Sequence, residues 1–363
     1  MTGEWKKFKI GDIVTLEYGK GLKNYKDGDG NYDVFGTNGK IGFANEFLYD
    51  KPSVIIGRKG AYREVHLAKK PFFVIDTAFY TKMRIKKLNN LFLYYWFKNI
   101  DINDMDSGSA IPSTSRDEIY DLDIFLPPIS EQRAITSVLS SLDDKIDLLH
   151  CQNKTFEAMA ETLFRQWFVE EADEGWEEKP LSKVADFLNG LACQKYPPQN
   201  DVDKLPVLKI KELRNGFSKN SDYATTEVKP EYLVKNGDVV FSWSASLMVK
   251  VWDGGKCILN QHLFKVTSEA YPKWFYYQWC KYYLEEFVSI SASHATTMGH
   301  IKRGDLDVAM VLVPSNDELK EMTKSMAPLM DKLIVNNKQI RTLEKLRDTL
   351  LPKLMSGEVR VEV

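Results

Sequence analysis

The chain is short of several things, and each shortage narrows what it can be. It has four cysteines, Cys151, Cys193, Cys257 and Cys280, with no CxxC pair among them. Reduced thiols in a cytosolic protein are the expectation. Its five histidines have no ligand spacing, so no metal is expected. No run of about 18 apolar residues exists, which leaves no membrane span. The opening MTGEWKKFKIGD has no apolar core, so no signal peptide is expected. Charge of one sign is also lacking: 49 Lys and Arg against 51 Asp and Glu leave a net charge of −2. No global basic field points to nucleic acid, although a balanced total can hide basic faces. There is no GxxxxGK[ST] loop, so no ATP site is expected. There is no Asn-Pro-Pro-aromatic motif for amino-methyl transfer and no recognisable nucleophile motif. DGDGNY at 27–32 hints at a calcium loop. It lacks the glycine at position six and the glutamate at position twelve, where Asn38 stands. The chain is expected to direct chemistry and perform none.

What is present begins with a long helix. Ile135, Leu139, Leu142, Ile146, Leu149, Asn153, Phe156, Ala160, Leu163 and Trp167 follow one another in alternating steps of four and three. That is a coiled-coil seam, polar only at Asn153. The forty or so residues after Pro128 would make a rod roughly 60 Å long at ~1.5 Å per residue. Such a stripe needs a partner of equal length.

The second half of the chain supplies it, because the chain is a repeat. SRDEIYDLDIFLPPISEQ (115–132) lies over KRGDLDVAMVLVPSNDEL (302–319) at an offset of 187. VIDTAFY (74–80) matches ILNQHLF (258–264) at 184, and SVIIGRKG (53–60) matches DVVFSWSA (238–245) at 185. WKKFKIGDIVTLEYGKG (5–21) matches WEEKPLSKVADFLNGLA (176–192) at 171. Matches that keep one order along both halves mean duplication.

The expected fold is α+β: two similar globular domains joined by two long antiparallel coiled-coil helices, with an internal pseudo-two-fold repeat. Residues 1–126 and 171–313 form the domains. Residues 127–170 form the central helix, and 314–363 the C-terminal helix and tail. Short strands punctuated by Gly and Asn build each domain. NNLFLYYWFKNI (89–100) and PKWFYYQWCKYYLEEFV (272–288) read as aromatic amphipathic helices whose rings pack in the cores. The second seam is Met322, Met326, Leu329, Leu333, Asn336, Ile340, Leu343, Arg347, Leu350 and Leu354. If Asn153 faces Asn336, seam positions fall opposite each other throughout, and the buried amide pair fixes the register. Pro328 should kink or break the second helix. Two like domains on such a ruler suit either two DNA half-sites about one helical turn apart or a protein-binding scaffold.

The residues also carry a resemblance. PPISEQRAI…LDDKID…ETLFRQWF resembles the central conserved region of the specificity (S) subunits of Type I restriction-modification systems. LRDTLLPKLMSGEVRV (346–361) is similar to that family's C-terminal signature. VFGTNGKIGFA…IIGRKGAY…FFVIDTAFY and FSWSASLMVKVWDGGKCILNQHLFKV (241–266) resemble its target-recognition domains. The resemblance covers nearly the whole chain. It implies that each domain reads one half of a bipartite, asymmetric site on double-stranded DNA. It implies further that the helices set the spacer and hold two methylation (M) subunits, which carry S-adenosylmethionine and methylate adenine. Restriction (R) subunits would carry the nuclease and the ATP-driven motor. No cofactor is then expected in this chain; S-adenosylmethionine, ATP and magnesium belong to the partners. The second domain departs from the pattern in having SWSA in place of GRKG.

Candidate contacts follow from side-chain chemistry. Arg58, Lys59, Tyr62 and Arg63 sit at a strand end, where Arg or Lys can bond guanine bidentately or pair with phosphate. Asn38, Gly39 and Lys40 occupy a tight turn. Ser109, Ser113, Thr114 and Arg116 belong to a hydroxyl-rich loop whose counterpart brings His294, Thr296, Thr297, His300, Lys302 and Arg303. Trp243, Ser244, Ser246, Lys250, Gln261 and His262 match the first domain's motifs. Gln261 could read adenine or cap a core.

Overall fold

The structure is a computed structural model that describes residues 4–26, 29–105, 112–293 and 299–362. The chain folds as two compact units: Met1–Ile146 with Leu343–Val363, and Asp147–Thr342.

In the first unit, Lys6–Lys9 pairs antiparallel with Asp123–Leu126. The main sheet has four antiparallel strands in the order Val14–Tyr18, Ala78–Met83, Ser53–Gly57, Val65–Ala68. Every residue of Ser53–Gly57 is buried, as a continuous apolar central strand should be. Its one polar side chain is satisfied: Ser53 Oγ donates to the Thr81 carbonyl at 2.7 Å. A smaller sheet joins Gly39–Ala44, Tyr32–Gly36 and Phe72–Val74, the last pair parallel. Helix Asn90–Lys98 starts where the Asn89 side chain accepts from the Leu91 and Phe92 amides, supplying bonds a helix N-terminus lacks. Its Phe92, Trp96 and Phe97 enter one core with Ile135 and Leu139 of the central helix and Leu354 and Met355 of the C-terminal helix. Gln132 ties these parts together. Its Oε1 accepts from the Asn89 amide at 2.9 Å, and its Nε2 donates to the carbonyls of Lys87 and Pro127.

The second unit has the same plan. Glu177–Pro180 pairs with Met310–Val313. Its main sheet runs Asp186–Asn189, Leu263–Thr267, Val239–Ser242, Met248–Val251. The smaller sheet is Tyr223–Thr225, Lys204–Leu208, Cys257–Leu259, Leu233–Val234. The ribbon strands fall at the offsets seen in the sequence: Lys6–Lys9 answers Glu177–Pro180, and Asp123–Leu126 answers Met310–Val313. The smaller sheets differ most. A helix, Ile210–Asn215, stands between the paired strands where the first unit has a tight turn at Asn38 and Gly39. The aromatic segment 272–288, read as one helix, is two, Lys273–Tyr282 and Leu284–Ser293. Tyr283 at the join donates to the Met310 carbonyl and stacks on Trp279.

The central helix spans Ile129–Arg165 and ends in a wider turn, Gln166–Glu170; the C-terminal helix spans Asn316–Ser356. Within each unit they pair antiparallel. In the first, Ile135 and Leu139 share a core with Leu350 and Leu354. In the second, Ala160 and Phe164 share one with Met326 and Met330. All twenty seam positions are buried or half-buried. Asn336 Nδ2 donates to Asn153 Oδ1 at 2.9 Å. Pro328 does not break the C-terminal helix, contrary to the expectation from sequence. Its ring is exposed, so the Lys324 carbonyl that loses its partner lies on the wet side, while Met326 and Met330 are buried to either side. No helix among the described residues is long and apolar enough to cross a membrane.

Candidate nucleic-acid interface

In the first unit, four loops meet at one edge of the main sheet. Strand Ser53–Gly57 runs into Arg58 and Lys59, whose amides both donate to the Thr77 carbonyl. The Arg58 carbonyl accepts from Thr114, and the Gly60 amide donates to the Pro112 carbonyl, so residues 112–114 lie along the basic loop. Lys59 and Ser113 form an antiparallel bridge. The Asn38 turn joins them: Thr37 Oγ1 donates to the carbonyls of Lys59 (2.7 Å) and Thr77 (2.8 Å), and the Asn38 side-chain nitrogen, with its amide oriented to satisfy both ends, donates to the Tyr62 carbonyl. Gly39, buried and at φ +100°, is required here. A Cβ would meet the His66 ring at 2.9 Å. Burial holds that imidazole below the ordinary histidine range, against the pull of Glu64.

The second unit builds the same frame from different residues. Ala245 donates to the Gly299 carbonyl and Ile301 to the Trp243 carbonyl, and Ser244 bridges His300. These are the counterparts of the Gly60–Pro112, Thr114–Arg58 and Lys59–Ser113 contacts. SWSA therefore stands on the backbone that GRKG occupies in the first unit. Trp243 stacks on Phe264 and donates to Asn189 Oδ1 at 3.2 Å. His262 and His300 lie 6.1 and 6.3 Å from its ring. Ser244 Oγ lies 3.3 Å from His262 Nδ1, and Gln261 Nε2 lies 3.5 Å from His262 Nε2.

The sequence-expected residues divide by exposure. Asn38, Lys40, Lys59 and Tyr62 are exposed, Tyr62 at 78%, and Arg58, Ser113 and Arg116 are half-buried. Lys40 pairs with Asp33 at 2.6 Å and lies over Phe43. In the second unit His262, Lys302 and Arg303 are exposed, and Trp243, Ser246, Lys250, Gln261 and His300 are half-buried. Lys250 lies 3.7 Å from Asp253, and the Lys302 amide donates to Asp305.

Besides Gly39, three residues need correction as surface groups. Arg63 is 3% exposed: its amide and Nη2 donate to Asn103, so it anchors the loop from within. Thr114 (2%) and Ser244 (6%) are likewise interior, where their backbones carry the inter-loop pairing. Ser109, His294, Thr296 and Thr297 lie outside the described residues.

Sequence reasoning passed over Tyr18. Its ring, 45% exposed, lies under both Arg58 and Arg116, at 4.8 and 5.0 Å. The offset of 171 pairs it with Asn189, which holds Trp243 in the second unit, and that correspondence was the available signal. Among the described residues no group of three or more metal-ligating side chains is gathered.

What the frame offers chemically is two sets of cations, aromatics and amides on rigid, mutually bonded loops, suited to phosphate and base-edge contacts. The comparisons with known proteins agree with that character. The Type I restriction modification DNA specificity domain matches twice, over residues 2–158 and 173–345. The Type I restriction enzyme MjaIX specificity subunit of Methanocaldococcus jannaschii is 26% identical over 87% of this chain and 79% of its own length. The MjaVIII specificity subunit of the same organism is 23% identical over 99% and 94%. The crystal structure of a Type-I restriction-modification system S subunit from M. genitalium shares the fold at TM-score 0.66 and 18% identity, covering 97% of this chain and 96% of that one. The chain thus belongs to the Type I restriction-modification specificity subunits and carries their DNA-recognition domain twice.

Proposed function

We propose that the two domains read the two halves of a bipartite, asymmetric site on double-stranded DNA, and that the chain thereby directs two adenine-methylating M subunits and the nuclease-bearing R subunits. The observation that carries this is the duplicated loop frame. Lys59–Ser113 and Ser244–His300 are equivalent bridges with unlike side chains. Equal frames place two readers alike, and unlike side chains make them prefer unlike bases. In this reading residues 1–126 and 171–313 are the recognition domains, 127–170 is the central helix, and 314–363 the C-terminal helix and tail. The helices set the spacer, and their outward faces seat the M subunits.

The chain itself performs no chemistry in this proposal. S-adenosylmethionine, ATP and magnesium reside on partner subunits, and the complex works in the cytoplasm. Exposed cations such as Lys59, Lys302 and Arg303 give a sequence-independent, salt-sensitive hold on phosphates. The candidate base readers then test base edges, and each M subunit flips its adenine out of the duplex.

Methylome sequencing of the host with and without this gene tests the proposal. One bipartite adenine motif should vanish on deletion. An unchanged methylome would show that the chain does not direct methylation.

A further inference from the structure

Tyr18, Arg58 and Arg116 come from three separate parts of the first unit, a strand end, a loop and the first turn of helix Arg116–Tyr120. Each guanidinium lies over the Tyr18 ring, Arg58 at 4.8 Å and Arg116 at 5.0 Å from its centroid. The arrangement is fixed from below. The Arg58 amide donates to Thr77 and its carbonyl accepts from Thr114. Arg58 Nη1 donates to the Asp76 carbonyl at 3.1 Å. Arg116 follows Ser115, whose side chain closes a reciprocal cap with Glu118. The backbones of both arginines are thus fixed by the fold, and their side chains meet at the Tyr18 ring.

Two like charges over one ring repel. A ring's quadrupole attracts each cation but neutralises neither. Among the described residues neither arginine has a carboxylate within ion-pair distance: Asp76 offers Arg58 its carbonyl, while its side chain lies 3.9 Å from Lys59. A bound anion would supply the counter-charge that the described residues do not.

The second unit shows that the convergence of these three positions belongs to the fold. Their counterparts are Asn189, Trp243 and Arg303. Trp243 donates to Asn189, and Arg303 Nη2 donates to the Phe187 carbonyl two residues before it. Only the first unit fills the three places with two cations and a ring.

We propose that Tyr18 is a positioning residue that holds Arg58 and Arg116 as a two-cation clamp on one backbone phosphate of duplex DNA. A phosphodiester has two non-bridging oxygens, one for each guanidinium, and such charge-assisted bonds are strong and sequence-independent. The clamp would set the first domain's register on the duplex and leave base discrimination to its neighbours. This inference rests on the DNA-reading function proposed above.

The test is the salt dependence of binding of the full chain to a labelled 30-base-pair duplex of random sequence, which isolates phosphate contacts. Removing one cation from a phosphate lowers the slope of log affinity on log salt by about 0.9. Arg58→Gln and Arg116→Gln should each lower the slope by about one and weaken binding several-fold at low salt. Tyr18→Leu should do the same with both arginines intact, and Tyr18→Phe should restore the wild-type slope, since the ring and not the hydroxyl does the positioning. A wild-type slope in Tyr18→Leu alongside reduced slopes in the arginine variants overturns the role of Tyr18. Unchanged slopes in the arginine variants overturn the clamp while DNA binding stands. A wild-type chain that does not retain the duplex at low salt removes clamp and DNA reading together. Should Tyr18→Leu fail to fold by thermal melting, the double arginine variant decides. A combined loss smaller than the sum of the single losses supports a shared phosphate, and a purely additive loss rejects it.

Discussion

Asn336 Nδ2 donates to Asn153 Oδ1 across 2.9 Å, and Asn153 Nδ2 donates on to Asn337 Oδ1 at 2.6 Å. Both Asn153 and Asn336 are under 9% exposed, in a seam that is otherwise chiefly apolar. An amide in such a place costs stability unless its partner is opposite, and only one alignment of the helices puts it there. Replacing one member takes from the other its partner across the seam, leaving Asn336 only its weaker bond to Gln152 or Asn153 only its bond to Asn337. Asn153→Ala and Asn336→Ala should each lower the unfolding free energy by about 1–3 kcal/mol in urea titrations. The double change to Leu should recover that loss and allow alternative alignments, visible as faster amide exchange along the helices. Neutral single variants would show that the amides do not set the register.

A glycine is required at two equivalent places for one reason. A Cβ on Gly19 would lie 2.0 Å from the Ile75 carbonyl oxygen, and one on Gly190 would lie 2.3 Å from that of Asn260. Backbone is in the way, so a rotamer change cannot relieve the clash. Gly19→Ala and Gly190→Ala should each destabilise by on the order of 1–3 kcal/mol, as overpacking does. Denaturant midpoints would read the loss, and wild-type midpoints would mean the strand ends can separate freely.

The thiols differ sharply in access. Cys151 is exposed, while Cys193, Cys257 and Cys280 are buried. Burial also raises the pKa of the three interior thiols, leaving them protonated near neutrality. Under native conditions a thiol reagent should modify one cysteine per chain, and Cys151→Ser should abolish the reaction. Modification of more than one without denaturant would mean that a core opens readily.

How much of this was legible beforehand depended on the range over which the cause acts. The seam was, because a 3.5-residue period is written directly in the spacing of Ile135, Leu139 and Leu142 and their successors. The equivalence of Lys6–Lys9 and Glu177–Pro180 was, because the repeat aligns them without a gap, but their pairing as strands with Asp123–Leu126 and Met310–Val313 was not, since those partners are over a hundred residues away. Pro328 misled, because what keeps that helix whole is the tertiary packing of Met326 and Met330. Arg63 and Thr114 misled for a related reason: an arginine in a glycine-flanked basic run reads as surface, and only the fold brings Asn103 against it. Tyr18 looked like one more strand aromatic, since the two arginines that share its ring are 40 and 98 residues away in sequence.

Alkaline pH should weaken the fold through its buried phenols. Tyr95 donates to Asp143 at 2.6 Å, and Arg347 Nη1 holds the other carboxylate oxygen at 2.9 Å. Burial, and then the Asp143 contact, raises the Tyr95 pKa far above that of a free phenol. Burial likewise pushes Tyr276 up to about 12. The unfolded chain releases these protons near the ordinary tyrosine pKa of about 10, whereas the folded chain keeps them. The stability they contribute is therefore complete below the unfolded pKa and is lost as pH climbs through it towards the folded values. Denaturant titrations should show stability falling steadily above about pH 10, and Tyr95→Phe should make that fall shallower. An unaltered pH profile in the variant would mean that Tyr95 ionises as easily in the fold as outside it.

The equivalent loop frames carry the last prediction. Trp243 and Arg58 occupy corresponding positions, each with its carbonyl bonded to the neighbouring loop, by Ile301 and Thr114. Their backbones are thus held independently of their side chains, and although Trp243→Ala gives up the packing on Phe264 and the bond to Asn189, the loop frame that presents the site should remain. Under the proposed function, Trp243→Ala should relax preference in one half of the methylated motif by roughly tenfold or more, the range of about 1–3 kcal/mol typical of a base contact. The other half should stay as it was, because its reader lies in the other repeat. Methylome sequencing of a strain carrying the variant checks this directly. Relaxation of both halves would mean that Trp243 acts through overall affinity. An unchanged motif would place base reading elsewhere in the second domain, with Gln261 and His262 the next residues to exchange.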